Sequence, residues 1–286
     1  MKTLNRFFVG VLLALLVVLL FLWQRSRSRV QLPPVASTTS TMPATVRQPV
    51  ITPAAREEFQ SVLELKNQKK WAQARDALLR WLNDNPKSEL APDAERELGA
   101  INIQIVTSQA PAPEKVDYTI QAGDTLDRIA RKFNTTVELI QKSHRLSSPI
   151  IRPGDRLRIY QAKFSVVVDK TANSLLVFDD GRFFKKYRVG TGEYSTTPAG
   201  DFKIRSRIPN PAWYTKEGKT IPFGDTNNVL GTHWLGLDVP GIGIHGTWEP
   251  DSIGKSSSAG CVRLLNEDIV ELFVLLPYGT PVTIKE

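Results

Sequence analysis

Residues 241–264 read GIGIHGTWEPDSIGKSSSAGCVRL, and the rest of the chain is organised around them. The stretch holds the protein's one cysteine, Cys261, and one of its three histidines, His245. Cysteine attacks as a thiolate, and a neighbouring imidazole takes its proton, so the two are the minimum parts of a nucleophile and its base. His245 closes an alternating run from Val239 to Ile244, expected as a strand whose end holds the ring open to a cleft. Cys261 follows Ser256 to Gly260, small residues that let a substrate approach the backbone. In such a loop the N–H groups of Gly260 and Cys261 are candidate oxyanion donors, and Arg263 is a candidate partner for a substrate carboxylate. An inert core cysteine sits among leucine and β-branched neighbours; this one sits among glycine and serines. His233, beside Trp234, reads as structural.

Working outward, the pattern around this stretch is β. Val166, Val168, Leu175, Val177, Phe184, Tyr187 and Val189 fall in alternating runs, and Asp180-Gly181 between two of them predicts a hairpin. Glu267–Leu276 has helical spacing, and Pro281–Ile284 reads as a closing strand. Residues 162–286 are therefore expected to form a mostly antiparallel sheet domain with a little helix.

Upstream, residues 117–161 predict a β-α-α-β unit. A strand from Asp117 to Gln121 ends at Ala122-Gly123-Asp124. A helix follows with Leu126, Ile129, Ala130 and Phe133 on one face. Thr135 and Glu138 have capping-box spacing for a second helix, and Pro153-Gly154-Asp155 turns into a strand carrying Leu157, Ile159 and Tyr160. His144 reads as a surface residue. Residues 107–116 (TSQAPAPEK and Val116) read as a linker. The segment 54–106 has three stretches of helical spacing and looks like a tetratricopeptide-type hairpin, serving either to dock a protein partner or as a spacer or a cap packed on the next domain. Residues 30–53 are rich in Pro, Thr, Ser and Ala and read as a disordered stalk. Phe7–Trp23 is an uncharged apolar run followed by Gln24 and Arg25 and by no small-residue cleavage site, so residues 1–29 are expected to be a cytoplasmic tip and a transmembrane signal anchor. The fold class is multidomain α+β.

Composition narrows the chemistry further. A net charge of +8 favours an anionic surface nearby, yet the basic residues are scattered and no nucleic-acid motif is present, so nucleic acid is not expected as a partner. One cysteine forms no internal disulfide, and one cysteine with three histidines leaves few ligands for a metal; no metal and no cofactor are expected.

Two resemblances carry the reading to a reaction. YTIQAGDTLDRIARKFNTTVELIQ with IIRPGDRLRIY resembles a LysM module over its whole length. That resemblance implies binding to N-acetylglucosamine-containing chains, chiefly peptidoglycan, in a groove lined here by Gly123, Asp124, Thr125 and the Ile150–Arg152 region with Ile151. Lys142-Ser143-His144 stands where that family usually has asparagines. Phe164–Lys285 is similar to the L,D-transpeptidase (YkuD-type) catalytic domain, through His245-Gly246-Thr247, Ser258-Ala259-Gly260-Cys261-Val262-Arg263, Thr197-Pro198-Ala199-Gly200, Pro211-Ala212-Trp213 and Asn228-Val229-Leu230-Gly231. The resemblance implies Cys261 as nucleophile, His245 as base, the Gly246 carbonyl as the acceptor orienting His245, and Ser258 as a shaper of the nucleophile loop. Many members have His where Ala259 stands. The implied reaction is acyl transfer on peptidoglycan stems: release of the terminal D-alanine and transfer of the thioester to an acceptor amine, giving a 3→3 crosslink. A carboxypeptidase or a protein-to-wall attachment enzyme shares the acyl-enzyme step, and a wall-binding scaffold is the reading without catalysis. The expected location is the bacterial cell envelope, anchored in the inner membrane with the bulk of the chain in the periplasm or wall.

Overall fold

A computed structural model describes residues 52–215 and 217–286. The apolar run and the stalk up to Ile51 lie outside the described residues. Among the described residues, no helix is long and apolar enough to cross a membrane.

Three helices come first: α1 (Pro53–Asn67), α2 (Trp71–Asp84) and α3 (Ala91–Thr107). The Thr52 hydroxyl accepts from the Ala55 N–H at 3.2 Å, and Pro53 follows where its missing N–H costs nothing. Trp81 joins the first two helices, packing on Phe59 with ring centroids 5.3 Å apart and donating its indole N–H to the Ala55 carbonyl at 2.7 Å. Helix α3 buries Leu98, Ile101 and Ile105, which an isolated hairpin leaves exposed. The Asn102 amide donates to the Phe184 carbonyl at 2.8 Å, so the helical segment packs on the strand that holds Phe184.

The stretch read as a linker is anchored. Lys115 Nζ donates to the carbonyls of Ile105, Ser108 and Ala110 at 2.5, 2.6 and 2.9 Å, closing the C-terminal end of α3. Burial lowers this ammonium to about 8. Glu114 beside it pairs with Arg75 at 3.0 Å and Arg182 at 3.3 Å.

The small module is β1 (Lys115–Thr119), α4 (Leu126–Lys132), α5 (Val137–His144) and β2 (Arg156–Tyr160), with β1 antiparallel to β2 and Tyr118 opposite Leu157. Ile120, Leu126, Ile129, Ile140, Leu157 and Ile159 give it a core of its own. The order matches the expected β-α-α-β, with the first strand starting two residues earlier. Two details differ. The cap of α5 is Thr136, whose hydroxyl accepts from the Leu139 N–H at 2.9 Å, while Thr135 Oγ1 is buried without a partner. His144 is half-buried rather than freely exposed: its Nε2 accepts the Arg158 N–H at 2.8 Å, occupying the otherwise open edge of β2.

The remaining strands are β3 (Phe164–Asp169), β4 (Ser174–Asp179), β5 (Arg182–Arg188), β6 (Thr191–Gly192), β7 (Gly200–Pro209), β8 (Trp213–Tyr214), β9 (Thr220–Ile221), β10 (His233–Leu237), β11 (Gly243–His245), β12 (Ser256–Ser258) and β13 (Val262–Arg263), followed by helix α6 (Asn266–Leu275) and β14 (Pro281–Lys285). Eight of them form one sheet in the order β13-β11-β10-β7-β14-β3-β4-β5. It is mostly antiparallel, with β11/β13 and β14/β3 parallel. Asp180 and Gly181 both have positive φ, 49° and 76°, as the predicted β4–β5 hairpin requires. The alternation from Val239 to Ile244 is not a long strand. Val239–Gly241 forms the turn after β10, with Gly241 at φ 72°, and only Gly243–His245 pairs.

The module and the catalytic domain meet on α6. Thr136 Oγ1 donates to the Val274 carbonyl, Arg207 pairs with Glu138 at 3.0 Å, and the same guanidinium donates to the Phe273 carbonyl at 2.5 Å. Arg207 is buried at this seam, 8% exposed.

Candidate active site

The register of the sheet sets the site. Strand β11 lies between β10 and β13, with Trp234 opposite His245 on one side and Arg263 opposite His245 on the other. Ile244 faces Val262, so Cys261 enters beside Gly243, two steps before the histidine. The Trp234 ring stacks on His245 with centroids 5.8 Å apart. A Cβ on Gly243 would sit 2.5 Å from the same indole, which is why glycine stands there.

His245 is 3% exposed, and its Nδ1 lies 2.6 Å from the Gly246 carbonyl. An imidazole Nδ1–H donating to that carbonyl leaves Nε2 as the free base. Burial lowers the histidine to about 4; the Arg263 charge adds to this, while the Gly246 and Leu230 carbonyls oppose it. Burial also raises Cys261 above its ordinary value, against the Gly243 N–H and the Arg263 charge, which favour the thiolate. Both shifts favour a neutral thiol beside a neutral imidazole at rest. The thiol donates to the Gly241 carbonyl at 3.4 Å.

Ser258 organises the turn before the cysteine. Its hydroxyl donates to the Cys261 carbonyl at 2.6 Å and accepts the Gly260 N–H at 3.1 Å. This corrects one expectation: the Gly260 N–H points into its own loop and is not available as an oxyanion donor. Gly260 has φ 138°, a conformation that leaves Cys261 projecting from the turn. Arg263 is held by Glu249 at 3.4 Å and its Nε is buried without a partner, so its charge acts on both His245 and Cys261 from behind.

Cys261 opens on a cleft of about 240 Å³. Ile208, Pro211, Trp213, Tyr214, Leu230 and Trp234 line it, so its walls are largely apolar and aromatic. Pro211 and Trp213, which carry part of the family resemblance, stand at the thiol. Their signal was aromatic density inside a segment with no regular period. His233 stays out of the cleft, packed on Phe273 with ring centroids 4.5 Å apart.

The residues expected to line a glycan groove lie in two turns of the small module. Gly123 is exposed with φ 84°, and Thr125 caps α4 by accepting the Arg128 N–H at 3.2 Å. Asp124 accepts from the Tyr118 hydroxyl and the Gln121 N–H, both at 2.8 Å, so it stitches the turn. Ile151 packs against the module's core, whereas Ile150 is 80% exposed.

Among the described residues, no cluster of His, Cys, Asp and Glu could hold a metal ion.

Comparison with known proteins identifies the chain's relatives. The family model for the L,D-transpeptidase catalytic domain (YkuD) matches residues 163–284, and that for the LysM domain matches residues 118–159. The L,D-transpeptidase YkuD assigned in Bacillus licheniformis is 34% identical over 175 residues, covering 58% of this chain and 97% of that protein. Its Bacillus subtilis counterpart is 35% identical over 176 residues, covering 59% and 98%. An L,D-transpeptidase structure from Mycobacterium smegmatis superposes with a TM-score of 0.38 at 20% identity, over 46% of this chain and 64% of that one. A relative matched over nearly its whole length, together with the catalytic-domain match around His245 and Cys261, places this chain in the YkuD L,D-transpeptidase family.

Proposed function

We propose that the chain is a peptidoglycan L,D-transpeptidase in which Cys261 is the nucleophile and His245 its base. The observation that carries this is the buried imidazole whose Nδ1 is fixed on the Gly246 carbonyl, on the strand beside a cysteine that opens on a cleft. Since burial favours the neutral pair, the proton moves during attack. His245 Nε2 takes the Cys261 proton as sulfur bonds to the carbonyl carbon on the L-centre of the third stem residue. The Cys261 N–H serves the oxyanion, since the Gly260 N–H is held by Ser258. His245 then returns the proton to the departing D-alanine amine, leaving a thioester. An acceptor amine attacks that thioester, gives a proton to His245, and releases the thiol with a new amide bond.

The small module holds the glycan through the turn at Gly123–Thr125 and Ile150, and the apolar run Phe7–Trp23 tethers the enzyme at the membrane of the cell envelope. The module then raises the local concentration of stems at Cys261.

Muropeptide analysis after adding the enzyme to tetrapeptide-rich sacculi tests the reading. Crosslinked dimers lacking one D-alanine support transfer to an amine, and tripeptide alone identifies water as the acceptor. If Cys261→Ala yields the same products as the wild type, the cysteine mechanism is wrong.

A further inference from the structure

Helix α6 starts with Asn266, whose side chain does not serve the helix. The N-cap position is Leu265, with no side-chain cap hydrogen bond. Instead the Asn266 amide faces backward across two loops. Its Nδ2 donates to the Thr247 carbonyl at 2.9 Å, and its Oδ1 accepts the Thr232 N–H at 3.1 Å, with the Thr232 hydroxyl at 3.4 Å.

Those two loops are the ones that hold His245. The Gly246–Thr247 backbone supplies the carbonyl 2.6 Å from Nδ1. Thr232 adjoins His233, whose carbonyl accepts the Gly246 N–H at 3.2 Å, so the second loop is tied to the first beside the ring. Both loops carry glycine where the amide passes: a Cβ on Gly231 or on Gly246 would collide with Asn266 Oδ1. Gly231 also has φ 64°, so a side chain there is strained on two counts.

From this we infer that Asn266 is a positioning residue for the catalytic base. A single planar amide, donating to one loop and accepting from the other, fixes the separation of the two loops and with it the place of the Gly246 carbonyl that holds the imidazole. The Nδ1–H tautomer and the direction of Nε2 follow from that separation. The inference rests on His245 being the base, but its geometry is testable without turnover.

The experiment uses the full chain, as wild type, Asn266→Ala and Asn266→Asp. The aspartate variant keeps the size and the acceptor oxygen and loses the donor to Thr247. Imidazole ¹⁵N–¹H spectra, with His245 assigned by its own substitution, report the tautomer directly. Wild type should show a hydrogen-bonded Nδ1–H, which Asn266→Ala loses or exposes to solvent exchange, with Asn266→Asp intermediate. In kinetics, Asn266→Ala should lower kcat about tenfold to a hundredfold at little change in KM. The acid limb of its kcat/KM profile should also move up towards the ordinary histidine range. A residue with only a structural role would lower the melting temperature and leave the resonance and the acid limb in place; that outcome overturns the inference. If Asn266→Ala does not fold, the resonance and pH profile of Asn266→Asp decide, and wild-type values there overturn it equally. A wild type without activity on sacculi refutes the proposed function, while the resonance still judges the positioning.

Discussion

Protonating His245 in the folded state is costly, and that cost makes a measurable signature in acid stability. The ring is 3% exposed and burial holds it at about 4, against 6.5 in an unfolded chain. Between those values the unfolded chain binds the extra proton and the fold does not. Stability is therefore intact above the unfolded value and is lost as pH falls towards 4. The depression converts to a loss of about 2 kcal/mol between pH 8 and pH 5, and about 3 kcal/mol by pH 4. Asp268 acts in the opposite direction: burial raises it to about 6, so its cost to the fold is relieved as the pH drops. A wild-type acid titration alone would mix the two. Comparing wild type with His245→Gln removes the shared contribution and leaves only that of the imidazole. Urea unfolding followed by tryptophan fluorescence at pH 8, 5 and 4 gives both curves. The wild-type advantage over His245→Gln, whatever its size at pH 8, should shrink by about 3 kcal/mol at pH 4. Parallel curves, with a difference that stays within about 0.5 kcal/mol, would show that the ring is not buried as a neutral group, and the reasoning fails.

Three further expectations test other parts of the site. Iodoacetamide labelling of Cys261, read by intact mass on a chain with one cysteine, should accelerate with pH up to and beyond 9, because burial raises the thiol; a plateau near neutral pH would point to a preformed thiolate. Ser258→Ala removes both hydrogen bonds that hold the nucleophile turn, and should lower kcat about tenfold or more with KM nearly unchanged; a pure KM effect would contradict it. Arg207→Ala leaves Glu138 and the Phe273 carbonyl unpaired at the seam, and should cost about 1–3 kcal/mol with faster hydrogen exchange in α5 and in the C-terminal turn of α6; exchange confined to β7 would argue against a seam.

The parts legible in the sequence are those written within one or two turns of chain. Asp180-Gly181 announces its hairpin because both residues tolerate positive φ, and the spacing around Gly260 and Cys261 announces a nucleophile turn. Ser258 adds to the same signal, since its bonds reach only two and three residues. Phase is harder. Thr135 and Thr136 are chemically equal candidates for one cap, and only the packing of Thr136 against α6 separates them. Val239–Ile242 alternates like a strand, yet Pro240 and Gly241 turn it. What stayed hidden is long in range. Asn102 meets Phe184 across 82 residues, and Asn266 reaches Thr232 across 34, so neither partner shows in any local pattern. The Gly260 N–H was misjudged for a related reason: a donor beside a cysteine is free only when no nearby hydroxyl claims it.

The seam on α6 bears on how the proposed reaction would choose among stems. Thr136 and Arg207 fasten the small module to the far end of a helix whose first residue braces the histidine loops, and ten residues of helix span about 15 Å. A module on a flexible tether samples every stem within its linker's radius. On the proposed function, a module fixed this way would work as a gauge: with a sugar seated on it, the stems able to enter the cleft would be those at one set of distances along and across the strand. The pattern of crosslinks would then carry the spacing of the protein itself, and shortening or lengthening the seam would change where links fall before it changed how many form.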